Sequence, residues 1–291
     1  MIGSIPPVIG EAIEAHTGSI IKGFSLTGGG CINHGGKVTT SLGRVYFLKW
    51  NDLRRYADMF VAEAKGLSLL RKANALQVPE VIYVGSAGDF QYLLLEYIEE
   101  GSRGRNYWKD FGTGLALLHR NTASEFGLDH DNYIGSLPQN NRQCRSGVEF
   151  FVEQRLRIQL QVALDQNRID RGVSKKFDTL FNKITYILSD EPSSLLHGDL
   201  WGGNLMITSK GEPCLIDPAV YYGHREADLA MTQLFGGFDT EFLNSYREQY
   251  PLAPGYEERF EIFNLYPLLV HLNLFGPEYR LQVISIVNQF V

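Results

Sequence analysis

The sequence predicts a two-lobed α+β fold, with a β-rich front lobe in residues 1–97 and an α-rich back lobe in residues 98–291. Three observations predict it. Roughly the first third of the chain carries short apolar runs separated by glycines, the pattern of strands and turns. One stretch inside it, residues 56–76, changes to a helical period, with Met59, Ala62, Gly66, Leu69 and Leu70 recurring on one face. Beyond Glu99-Glu100-Gly101, long amphipathic segments take over.

In chain order, residues 6–18 read as a short helix opened by Pro6-Pro7 and closed by Gly18. Residues 20–26, 37–41 and 44–50 read as strands, with glycines 28–30 and 35–36 as a turn between the first two. After the 56–76 helix, residues 78–85 and 91–97 read as two more strands around Ser86-Ala87-Gly88-Asp89. This gives a five-stranded antiparallel sheet with one helix inserted after the third strand. Helices are expected at 107–122, 147–167, 174–189, 227–234, 242–250, 256–275 and 278–290. Between them, residues 194–217 hold two short apolar runs around a glycine-rich loop.

The chain has 291 residues, 44% hydrophobic and 21% charged, with a net charge of −6. That mild acidity argues against a duplex nucleic-acid surface, which needs a basic stripe. Cys31, Cys144 and Cys214 are odd in number and widely spaced. They form no metal-ligand pair and no disulfide framework, so a reducing cytoplasm is expected. The first residues lack the basic start and apolar core of a signal peptide, and no apolar run has the length of a membrane span.

The strongest chemical signal is His197-Gly198-Asp199-Leu200-Trp201-Gly202-Gly203-Asn204, followed by Ile216-Asp217-Pro218. Phosphoryl transfer needs a carboxylate to orient and deprotonate the attacking hydroxyl, and oxygen ligands for Mg2+. Asp199 suits the first role, Asn204 and Asp217 the second. The bland alternative is a loop with an Asx turn and a capping Asp. Gly28-Gly29-Gly30-Cys31-Ile32-Asn33 offers backbone N–H groups to phosphates; alone it reads equally as a flexible turn. Lys49 lies in the apolar strand Tyr46-Phe47-Leu48-Lys49-Trp50, where a charge must be paired or ligand-facing. Glu63, on the following helix, is its expected partner in orienting ATP phosphates; the alternative is an edge lysine and a solvated glutamate. Leu93-Leu94-Leu95-Glu96-Tyr97-Ile98 ends the sheet and begins the joint, where extended backbone suits an adenine edge; it reads equally as a buried strand.

These residues, in this order, resemble the protein-kinase-like superfamily and specifically the fructosamine kinase (ketosamine 3-kinase) family. The resemblance covers nearly the whole chain, through GGGCIN, FLKW, the Glu63 helix, LLLEYI, LALLHR, FGLDHDNYIG, FFVEQRLRIQL, LLHGDLWGGN, IDPAVYYGHREADLAM and FGGF. It implies a bilobal fold of the aminoglycoside-phosphotransferase type and ATP-dependent phosphorylation of a ketosamine at its 3-hydroxyl, free or on protein lysines. It implies Asp199 as proton acceptor, Asn204 and Asp217 as Mg2+ ligands, and Lys49 with Glu63 as the phosphate-orienting pair. Glu96, Tyr97 and Ile98 are similar to its adenine segment, and Gly28, Gly29, Gly30 and Cys31 lie in its phosphate turn. Only nine residues separate Asp217 from Ala227, so no long activation loop fits and a constitutively assembled site is expected.

Trp201 is the expected sugar-stacking residue, with His224 a second substrate candidate. Asp228 and His119 are expected to be structural: Asp228 as a brace of the catalytic loop or a helix N-terminal Asp, His119 as a packed histidine. Cys31, among glycines and backbone N–H groups, is a redox candidate or equally a small residue tolerated in a turn, and a homodimer through it stays open beside a monomer. Rival functions are another small-molecule kinase, for an aminoglycoside, choline or homoserine, and a non-catalytic pseudokinase. Residues 126–145 offer only Asp129 and Asp131 to a polycationic aminoglycoside, and a pseudokinase should lack one of Lys49, Asp199, Asn204 or Asp217.

Overall fold

A computed structural model describes residues 5–27 and 33–291. Gly28, Gly29, Gly30 and Cys31, the expected phosphate turn and redox candidate, lie outside the described residues.

The front of the chain is a sheet sandwiched between two helices. α1 (Pro7–Thr17) ends at Gly18, whose left-handed backbone (φ 64°) closes the helix. β1 (Ile21–Leu26), β2 (His34–Thr40), β3 (Val45–Asp52), β4 (Val81–Ala87) and β5 (Phe90–Glu96) form one five-stranded antiparallel sheet in the order β1-β2-β3-β5-β4. α2 (Met59–Ala73) is inserted after β3, as expected. Gly35 and Gly36 are strand residues rather than part of the turn. A side chain at Gly36 would run into the Phe24 ring and the Ser25 carbonyl across the ladder, so close strand approach, not turning, accounts for that glycine.

Strand alternation sorts the sheet's two faces. Leu48, Trp50, Tyr92 and Leu94 pack with Ile9 and Ile13 of α1 in a small core. Leu93 and Leu95 point the other way, into a larger core with Phe60, Leu67 and Leu70 of α2. Lys49, between Leu48 and Trp50, therefore falls on the α2 face, paired in register with Leu93. The larger core continues through Phe111, Leu115, Phe177 and Phe263 of the back lobe.

That lobe contains α3 (Tyr107–His119), the hairpin β7 (Asn132–Ile134) and β8 (Leu137–Gln139), α4 (Gly147–Phe150), α5 (Arg157–Asp165) and α6 (Arg171–Ile187). α7 (Glu226–Leu234), α8 (Thr240–Gln249), α9 (Tyr256–Phe275) and α10 (Arg280–Phe290) follow the catalytic segment. The expected 107–122 helix stops at His119, because β6 (Thr122–Ala123) pairs with β9 (Ser193–Leu196), itself paired with β12 (Tyr221–Gly223). The 147–167 helix is interrupted by a π-helical turn, Phe151–Leu156, between α4 and α5. α6 starts earlier than expected because the Asp170 side chain accepts from Val173 N at 3.0 Å and caps it. α9 is buried on nearly all sides and forms the lobe's central helix. No helix among the described residues is long and apolar enough to cross a membrane.

A belt of buried charge ties α7 to its neighbours. Arg259 of α9 holds both oxygens of Glu226, at 2.6 and 2.8 Å. Arg225 holds Glu191, with Nη2 at 2.9 Å. His224 sits between these pairs: its Nε2 meets Ser189 Oγ at 3.1 Å, Nδ1 accepts from Glu226 N at 3.3 Å, and its ring packs on Phe263. Glu191, His224 and Glu226 lie close enough together to suggest a metal, but both carboxylates are already bound by arginines.

Two outcomes follow. Glu226→Gln leaves Arg259 buried without its counter-charge, and denaturant unfolding should show a loss of about 3–5 kcal/mol. Burial lowers the pKa of His224 below the ordinary histidine value, against the opposing pull of Glu226 and Glu191. The unfolded chain takes up that proton near pH ~6.5, the folded chain only at lower pH, so stability is full above this value and is lost as pH falls. His224→Gln should shrink the drop in Tm between about pH 7.5 and about pH 5.5, with His197 and His271, also lowered by burial, keeping the remainder.

Candidate active site

The two lobes face each other across a cleft of about 520 Å3. Lys49, Glu63, Asp199, Trp201, Asn204 and Asp217 all line it. β10 (Leu205–Ile207) and β11 (Pro213–Leu215) form the ribbon that separates Asn204 from Asp217. The 3-10 turn Gly202–Asn204 places Asn204 at the ribbon's start, and Asp217 follows its end.

Lys49 Nζ donates to both oxygens of Glu63, at 2.8 and 3.0 Å, and to Asp217 Oδ1 at 3.1 Å. Burial works against the Lys49 charge, but Asp217 and Glu63 outweigh it and hold the ammonium above its ordinary pKa. Asp217 is the open member of this group, with 45% of its side chain exposed while Lys49 and Glu63 are nearly covered. Its backbone is left-handed, φ 51°, a region that Asp enters more readily than most residues.

Asp199 accepts from Asn204 Nδ2 at 2.9 Å, and the same amide reaches the Asp199 carbonyl at 2.9 Å. Burial pushes the Asp199 carboxyl up to about 7; the Asn204 amide opposes the rise, and Asp217 and Asp228 add to it. A carboxyl poised near neutrality suits proton acceptance.

The segment from His197 to Asp199 is held from behind. Asp228 accepts from His197 N at 2.7 Å and Gly198 N at 2.9 Å, and His119 Nε2 lies 3.2 Å from it. His119 is fully buried, with Nδ1 at 2.8 Å from Tyr246 Oη. Both residues are structural in position, Asp228 as a brace and His119 as a packed histidine. His197 Nε2 meets the Ile216 carbonyl at 2.9 Å, and Ala219 N donates to the His197 carbonyl at 2.9 Å. A Cβ at Gly198 would collide with the Ala219 carbonyl, and Gly198 has φ 81°, so only glycine fits there.

The remaining candidates separate. Trp201 is 41% exposed at the mouth of the cleft, edge-on to Phe235. His224 is not brought to the cleft: it is buried in the charged belt, which removes it as a substrate contact. Glu96, Tyr97 and Ile98 are not in the cleft wall either. Glu96 turns to Glu80 N at 3.1 Å, Tyr97 carries Lys37 over its ring, and Ile98 is buried. Sequence reasoning missed Tyr133 and Ile134 of β7, and Tyr266, His271 and Tyr279 beyond Trp201, which also line the cleft. Their signal was weak, since aromatics at helical spacing read as core.

Asp217 and Asn204 together present a carboxylate and an amide beside Lys49, a hard-oxygen donor set that fits a divalent cation.

Comparison with known proteins gives these residues a context. The chain matches the fructosamine kinase family over residues 7–291. A protein of Synechocystis named as a probable ketoamine kinase is 40% identical over 264 residues, covering 90% of this chain and 88% of its own. The chloroplastic protein-ribulosamine 3-kinase of Arabidopsis thaliana is 38% identical over 278 residues, covering 93% of this chain and 83% of its own. A crystal structure from Thermobifida fusca, described as a fructosamine-3-kinase by assignment, superposes with TM-score 0.88 at 31% identity over 98% of both chains. With its two-lobed kinase fold and its His197–Asn204 loop in the cleft, this chain belongs to the fructosamine kinase family.

Proposed function

We propose that the protein is an ATP- and Mg2+-dependent ketosamine 3-kinase, acting on a sugar-derived ketosamine carried by an amine. The observation that carries this reading is the convergence of Lys49, Glu63, Asp199, Asn204 and Asp217 on one cleft in a chain of this family. Residues 1–97 hold the nucleotide and residues 98–291 supply the metal ligands, the base and the acceptor site.

Lys49, steadied by Glu63, pairs with the ATP phosphates. Asp217 and the side-chain oxygen of Asn204 hold Mg2+, which when bound neutralises charge building on the phosphoryl oxygens. Asp199 accepts the 3-hydroxyl proton as that oxygen forms its bond to the γ-phosphorus and the bond to ADP breaks. Trp201 offers its face to the sugar. The phosphate placed on O3 is a good leaving group next to a carbonyl, so its later loss and hydrolysis free the amine. Cys144 and Cys214 are buried free thiols, in keeping with a reducing compartment, which we take to be the cytoplasm.

The test is a panel of ribulosyl-, fructosyl- and erythrulosyl-lysine against kanamycin and choline, each with Mg·ATP. Ketosamine phosphorylation is expected, and Asp199→Asn should lower kcat roughly 10²- to 10⁴-fold. Turnover of kanamycin or choline alone would sink the acceptor assignment, and an undiminished Asp199→Asn enzyme would sink the role of Asp199.

A further inference from the structure

Behind the cleft, the backbone that follows Asp217 is gripped by side-chain amides that the mechanism above does not use. Gln139 Nε2 donates to the Ala219 carbonyl at 3.0 Å, and Asn132 Nδ2 to the Val220 carbonyl at 2.8 Å. The two amides are joined, because Gln139 Nε2 also donates to Asn132 Oδ1 at 2.8 Å. Asn141 Nδ2 donates to that same oxygen at 2.9 Å. Asn141 Oδ1 in turn accepts from Arg155 Nη2 at 2.7 Å, and Tyr266 Oη donates to Gln139 Oε1 at 2.7 Å.

Arg155 is the unusual member. It is fully buried, and among the described residues it has no carboxylate partner. Its guanidinium lies 4.0 Å from the centre of the Tyr221 ring and 4.5 Å from that of Phe150, and Nη1 also reaches the Asn140 carbonyl. The π-helical turn Phe151–Leu156 carries it there, and such turns gather at functional sites. An unpaired buried cation is costly to keep. Three of the bonds run head to tail, from Arg155 through Asn141 and Asn132 to the Val220 carbonyl. Each bond polarises the next.

We propose that Asn132, Gln139, Asn141 and Arg155 are positioning residues for phosphoryl transfer, forming an amide staple that holds residues 219–220 and thereby aims the Asp217 carboxylate into the cleft. The proposal rests on the assignment of Asp217 as the metal carboxylate. The staple does by fixed hydrogen bonds what a loop ordered by phosphorylation does elsewhere. Nine residues between Asp217 and Ala227 leave no room for such a loop. It also explains how Asp217 persists at φ 51°: strained backbone lasts only where its surroundings over-determine it.

Gln139→Met and Asn141→Leu in the full chain test it. Mn2+ binding in the presence of the non-hydrolysable analogue AMP-PNP, followed by electron paramagnetic resonance, reports the metal site without turnover. Mn2+ affinity and kcat should each fall about 10- to 100-fold, the range for partners that orient metal ligands, with KM for the ketosamine within about twofold. Phe177→Leu, a core change in α6 away from the cleft, should lower Tm without weakening Mn2+. If the amide variants do not fold, Tyr266→Phe, which removes one hydroxyl, decides through a smaller shift in the same direction. Folded variants with wild-type Mn2+ affinity and kcat, or equal losses in Phe177→Leu, would overturn the staple alone. A wild-type protein that binds no Mn2+ with AMP-PNP would overturn the kinase reading and the staple with it.

Discussion

An ammonium group set in an apolar strand has to be surrounded by negative charge, and Lys49 meets that requirement from two directions. Glu63 comes from α2 in the front lobe and Asp217 from the loop after β11 in the back lobe. Two carboxylates on one ammonium leave a negative excess at the cleft. Asp217, the exposed one, carries that excess toward the open side where a cation fits. The same triad joins sheet, helix and catalytic segment, so the registers of β3 and β5 bear directly on the chemistry. Slipping β3 by one residue would send Lys49 into the small core beside α1.

The back lobe solves a related problem with hydrogen bonds. His197 to Asp199 and Asp217 to Ala219 are irregular backbone, and each N–H or carbonyl there that is shut off from water unpaired is expensive. Asp228 accepts from two of the N–H groups, Ala219 N donates to the His197 carbonyl, and the hairpin amides donate to the outer carbonyls. Tyr133 of that hairpin also donates to the Ala57 carbonyl at 2.8 Å, just ahead of α2. One short hairpin thus touches the backbone that follows Asp217 and the base of the helix that carries Glu63.

What the sequence makes legible here is what breaks a local pattern. A lysine among apolar strand residues, and an Asp and Asn in a glycine-rich loop, are anomalies, and they mark the site. The sheet was readable because its strands are long enough to show alternation. β6 and β12 are too short for any period, so the end of α3 was misplaced. The π turn leaves no mark, since it changes hydrogen bonding and not composition. Asn132, Gln139 and Asn141 look like ordinary loop residues until their burial is known. His224 reads as a substrate candidate because α9, which covers it with Phe263, lies 39 residues further along the chain. Trp201 stands out in the sequence as an aromatic inside the glycine-rich loop, whereas Tyr266 and His271 are hidden in a helix whose whole surface reads as core.

The left-handed backbone at Asp217 has a consequence for how this position tolerates change over generations. A glutamate keeps the charge and is the nearest chemical neighbour of aspartate. It would lengthen the side chain by one methylene inside a triad already closed at 3.1 Å, and it lacks the ease with which aspartate adopts that backbone. Asparagine accepts the backbone but gives up the charge that Lys49 depends on. Drift at this site is therefore barred along both of its shortest paths, by conformation on one side and by electrostatics on the other.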